Sequence, residues 1–162
     1  MKTFSKIFLS MAVIIGLSYS VIIADDKPWF DMDNCDMCKS LNKYDGLKEN
    51  MTWEQYPISN GIMTVSTVKP SFLKAYRKAQ MDMDMVEKKL QSGQKVGLCN
   101  MCNDLGSIFE KGVDTQRVNT QHGSIWLLTS DNTELVSRLQ SWGEKTNLEM
   151  EKMMAHHMQE KH

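Results

Sequence analysis

Four cysteines arranged as two C-x-M-C pairs constrain this chain more than any other feature. The stretch from Asn34 reads NCDMCKSL, and the stretch from Leu98 reads LCNMCNDL. Cys35 with Cys38 and Cys99 with Cys102 are the only cysteines, and the two motifs stand 64 residues apart. Leu41 and Leu105 follow the motifs at equal distance. A chain of 162 residues forms one domain or two very small ones. Two such motifs therefore point first to an internal repeat.

The repeat continues beyond the cysteines. Gly61, Thr67 and Leu73 match Gly123, Thr129 and Leu135 at an offset of 62. A two-residue deletion between the motifs explains the change of offset. In the first unit, 25–94, Asp33 or Asn34 can cap a short helix carrying Cys38, Leu41 and Tyr44. TWEQYPISNGIMTVSTV then reads as a hairpin turning at Asn60-Gly61, a dipeptide suited to positive φ. Pro57 cannot donate to a ladder, which predicts an edge position for its strand. A long helix opens at Pro70, buries Leu73, Tyr76, Met83 and Leu90, and ends at Ser92-Gly93.

The second unit, 95–162, repeats this order. A short helix follows Cys99 and ends near Gly112. Strands over 113–120 and 124–129 turn around His122-Gly123. Asp131 to Glu134 reads as a capping box. The last helix then carries Leu135, Leu139, Trp142, Met150, Met153 and His157 on one face, with Gly143 softening its middle. A two-stranded sheet is marginal alone. Two units side by side predict an α+β fold, a four-stranded antiparallel sheet with helices packed on one face.

The N-terminus bears on the redox setting of the cysteines. Lys2 and Lys6 precede an apolar run from Ile7 to Ile23, and Ala24 precedes Asp25-Asp26. Residues 1–24 thus read as a signal peptide, with an uncleaved membrane anchor as the alternative. No cysteine lies near the cleavage point, which argues against a lipoprotein. The expected location is exported, periplasmic or extracellular, with no membrane span after signal removal. The remaining 138 residues hold 17 basic and 20 acidic side chains and show no basic stripe. Nucleic acid is thus a poor partner.

Cysteines outside the cytosol oxidise unless a metal or a reductase protects them. Three chemistries compete. Cys35, Cys38, Cys99 and Cys102 could converge on one ion, zinc or copper(I), which both accept thiolates. They could form two disulfides and staple a ligand- or protein-binding module. They could also serve a thiol-disulfide oxidoreductase, since a helix N-terminus stabilises thiolate. Haem attachment in its usual form is excluded, because Lys39 and Asn103 stand where histidine is needed. An iron–sulfur cluster suits the ligands but not export. No nucleophile triad, phosphate loop or carboxylate pair makes a positive case for an enzyme.

A C-x-x-C before a helix, two strands and a further helix resembles part of a heavy-metal-associated ferredoxin-like domain. The resemblance covers the motif and the element order, and it implies soft-metal binding. That family carries a methionine two residues before its first cysteine, where Asp33 and Gly97 stand here, and a strand before the motif, for which 95–98 is a candidate.

Twelve of 14 methionines fall after residue 24. Met37 and Met101 read as core filling rather than as ligands. MDMDM at 81–85 could be a copper tract, but Met83 fits the apolar stripe and favours core filling. In MMAHHMQEKH, the pairs Met153/His157 and His156/Glu160 have metal-binding spacing, against a solvated terminus. His122 is a turn residue.

Overall fold

The computed structural model describes residues 27–159, with side chains as far as Ala155. The signal-peptide reading on 1–24 lies outside the described residues, as do Glu160 and His162. The side chains of His156 and His157 lie outside them as well.

The chain forms α1 (Lys39–Asn42), β1 (Met51–Ile58), β2 (Gly61–Val68), α2 (Leu73–Gln91), α3 (Asn100–Phe109), β3 (Asp114–Thr120), β4 (Gly123–Thr129) and α4 (Thr133–Gln159). The strands make one antiparallel sheet in the order β1-β2-β4-β3. The α+β expectation is met, and β1 with Pro57 is an edge strand as predicted. Among the described residues, no helix is long and apolar enough to cross a membrane.

Alternation along the strands decides which face is buried. Trp53, Gln55, Ile62, Thr64, Ser66, Ser124, Trp126 and Leu128 share one face by register. Both long helices lie on that face. Tyr76 of α2 bonds Ser124 at 2.6 Å, and the rings of Trp142 in α4 and Trp53 meet edge-on at 6.2 Å. The helices cross over. Arg77 of α2 donates to the carbonyls of Thr120 and Gly123 beside the second hairpin. Asn147 of α4 holds β1 of the first hairpin, accepting from Gln55 N–H at 2.9 Å and donating to Gln55 C=O at 2.8 Å. That pair satisfies backbone groups which an edge strand would otherwise present to another chain.

The register has a twofold form. Adding 62 to each residue of the β1–β2 pairs from Thr52↔Thr67 to Ile58↔Gly61 gives the β3–β4 pairing, and the β2–β4 pairing maps onto itself. The axis passes through the Thr64–Trp126 pair. Two hydrogen bonds repeat the relation, Val68 N–H to His122 C=O and Ser130 N–H to Asn60 C=O. This symmetry describes the sheet; duplication of the chain remains a reading of the sequence.

Several local expectations are corrected. The first hairpin turns at Ser59-Asn60, because Ile58 pairs with Gly61. Neither turn residue has positive φ. Gly61 is needed for space instead: a Cβ there would sit 1.9 Å from the Leu128 carbonyl oxygen. Gly123 meets the Ser66 carbonyl oxygen in the same way, also at 1.9 Å. The α4 cap is Asn132, whose side chain accepts from Glu134 N–H at 2.9 Å, so the predicted box starts one residue early. Gly143 marks close packing rather than softness, since a Cβ would lie 2.0 Å from Ile62 Cδ1. Leu90 is exposed, while Ala79 and Val86 fill the buried stripe of α2. No strand covers 95–98, and among the described residues none precedes Cys35. The strand expected from the heavy-metal-associated resemblance is thus missing at both motifs.

Candidate metal centre

The first motif does not start on a helix. Asp31, not Asp33 or Asn34, shapes its entry, accepting from Asp33 and Asn34 N–H through one carboxylate oxygen. Cys35 and Cys38 lie in successive turns, and the four-residue α1 begins only at Lys39. The second motif follows the expectation. Cys99 is the residue before α3, and Cys102 lies in the first turn.

Backbone and carboxylate contacts bring the motifs together. Asp36 N–H donates to Gly97 C=O at 2.7 Å, and Gly97 N–H donates back to the Asp36 carboxylate at 2.8 Å. Lys39 pairs with the other Asp36 oxygen. The carbonyls of Pro28 and Trp29 accept from Asn100 and Met101 N–H, satisfying donors that the start of α3 leaves open. Trp142 Nε1 donates to Met101 C=O at 3.1 Å and ties α3 to α4.

The four sulfurs meet. All lie within 4.8 Å of one another, so the cysteine cluster is placed for binding a metal ion. Cys35 and Cys102 sulfurs are 3.6 Å apart, Cys38 and Cys99 are 3.6 Å apart, and Cys38 and Cys102 are 3.8 Å apart. A tetrahedron with zinc–sulfur bonds of about 2.3 Å has edges of about 3.8 Å. A disulfide would need about 2.05 Å, and all four thiols are free. Cys35, Cys38 and Cys99 are buried, and Cys102 reaches partway to the surface. The cluster belongs to the main core, with Trp29, Ile62, Met101, Leu128, Leu139 and Trp142.

The two loops polarise their thiols alike. The first cysteine of each pair is held toward thiolate. For Cys35, contact with Cys102 is the largest cause, followed by Cys38, Cys99 and the Cys38 N–H. For Cys99, lowered to about 6, contact with Cys102 leads, and Cys38 and the Cys102 N–H add to it against Cys35 and burial. The second cysteines hold their protons. Contact with Cys102 pulls Cys38 down, but Cys35, Cys99 and burial outweigh it. Cys102 is pushed up by Cys35, then Cys38 and Cys99, and by burial. A metal ion would displace those protons and relieve the crowding of four sulfurs.

Met101 is buried and Met37 packs against the main hydrophobic core, so both fill core as expected. In MDMDM, Met83, the residue that fits the apolar stripe, is half-buried, while Met81 and Met85, which share a different face, are exposed. His122 stands in the second hairpin turn. The residues that sequence reasoning missed are Asp36, Trp29 and Asn147. Asp36 had a signal, an acid inside the first motif, but nothing in the sequence named Gly97 as its partner.

No known protein family, no curated protein and no solved structure matches this chain.

Proposed function

We propose that this is an exported soft-metal-binding protein, holding one zinc ion through Cys35, Cys38, Cys99 and Cys102. The observation that carries the reading is the sulfur spacing of 3.6–3.8 Å across the two motifs. Four thiolates leave no open position for substrate, which is the pattern of a structural zinc site. Placement supports that role. The segments 27–38 and 94–99 have almost no regular structure of their own, and the site would join them within the core. Binding energy at such a site is folding energy.

Copper(I) is the second reading, since a cluster of four thiolates accepts that soft ion as well. Oxidised forms of the site, a disulfide staple or a redox couple, are the competing accounts. Cobalt substitution tests the proposal. The expected result is one Co2+ per chain with the absorption of a tetrahedral four-thiolate complex, displaced by one equivalent of Zn2+. Cys99→Ser should lose both the spectrum and the zinc. Equal zinc content in wild type and Cys99→Ser would overturn the assignment.

A further inference from the structure

The MDMDM tract of α2 plays no part in the cysteine site, and its orientation is unusual for methionine. Met81 and Met85 are 65% and 53% exposed. They stand one helical turn apart, so their side chains cover the same strip of surface. Contacts on both flanks keep the helix from rolling to bury them. Asp82 accepts from Lys43 Nζ at 2.8 Å and Tyr44 Oη at 2.9 Å, and Asp84 accepts from Arg117 at 2.9 Å. Ala79 and Val86 fill the core on the opposite side. Lys, Glu or Gln would serve an exposed strip equally well in helix propensity, without the apolar surface. What methionine adds there is a thioether sulfur.

We propose that Met81 and Met85 form a surface site for a soft monovalent cation, Cu(I), separate from the four cysteines. Thioether sulfur is a neutral, soft ligand that selects Cu(I) over Zn2+ or Mg2+. The carboxylates that would attract a hard cation, Asp82 and Asp84, are already paired with Lys43 and Arg117. Lys78 and Lys88 border the same groove and repel any cation, a divalent one about twice as strongly as Cu(I). Two thioethers leave coordination positions open to a ligand from a donor or acceptor molecule. Such a site suits loading and passing an ion, whereas a closed four-thiolate site suits keeping one. The inference rests on the orientation of α2 and is independent of the zinc reading.

The test is an anaerobic Cu(I) titration of the full chain as purified, carrying methyl-13C methionine, with any released zinc measured in the same samples. The expected result is a saturable shift of the Met81 and Met85 methyl resonances together. Excess Zn2+ should leave both resonances unmoved. Met81→Leu/Met85→Leu should bind one Cu(I) fewer than wild type while keeping its zinc content and melting temperature, because both side chains are solvent-facing. Three results would each overturn the site: methyl resonances unmoved once Cu(I) exceeds the capacity of the cysteines, equal shifts with Zn2+, or an unchanged Cu(I) count in the double variant.

Discussion

At the scale of single residues, the most demanding positions are glycines whose side-chain space is filled by a neighbouring strand. Gly61 and Gly123 begin the two central strands, and each would drive a Cβ to 1.9 Å from a carbonyl oxygen of the other. Backbone cannot step aside as a flexible side chain can. Gly61→Ala and Gly123→Ala should therefore each cost on the order of 3 kcal/mol or more in urea unfolding. The penalties should be similar, because the geometry is. Gly106 is the control: nothing lies within 4 Å of its Cβ position in α3, so Gly106→Ala should stabilise by about 0.5–1 kcal/mol. The recurrence of glycine at an offset of 62 was legible in the sequence. Its reason was not, because a dipeptide such as Asn60-Gly61 reports on turns and carries no information about a strand 60 residues away.

Asp36 is the residue-scale counterpart at the cysteine loops. Lys39 first, and then the Gly97 N–H, hold its carboxyl below the ordinary value of 3.8. Asp31, through Asn34, and Asp82, through Lys43 and Tyr44, are lowered as well. A carboxyl whose folded value is depressed adds stability above its unfolded value, and loses it as pH falls through the folded one. Stability should thus decline from about pH 4 downward. Asp36→Asn should make that decline shallower and lower the neutral-pH stability, measured as urea midpoints across an acid series. An unchanged acid limb would remove Asp36 from the account.

At the scale of elements, sequence periodicity identified most helices and strands but not their partners. The buried stripe of α4 was visible in Leu135, Leu139 and Trp142, and all three are buried. That α4 lies over the first hairpin and not its own was invisible, because an apolar stripe fits any apolar face. Asn147 shows what the crossing contributes. Its amide occupies the outward N–H and C=O of Gln55 on β1, as a neighbouring strand would. Asn147→Ala should cost about 1–3 kcal/mol, since it strands a backbone donor and acceptor. It should also raise the tendency to self-associate, read by light scattering, because the strand edge is opened. The first motif shows the opposite failure. A predicted helix cap at Asp33 or Asn34 is replaced by a turn held by Asp31, a competition among neighbouring Asx residues that propensity alone does not settle.

At the scale of the whole molecule, the sheet and the cysteine cluster follow the same twofold logic by different routes. The hairpins are related at an offset of 62 and the motifs at 64. Two sulfur contacts between the motifs, Cys35 with Cys102 and Cys38 with Cys99, exchange under that relation and share one distance, 3.6 Å. The recurrence of the motif made the meeting of the sulfurs legible from sequence, while the supporting contacts of Trp29 and Asp36 were not, because their partners, Met101 N–H and Gly97, are backbone groups that no side-chain pattern marks. One metal ion, as proposed, would close this arrangement. The measurement that tests it most directly is metal content and free-thiol count on one purified, untreated sample. The account predicts one zinc per chain and four thiols that become reactive only after chelation, with a marked fall in melting temperature. No bound metal, together with two or no thiols after denaturation, would contradict it and place one or two disulfides among Cys35, Cys38, Cys99 and Cys102.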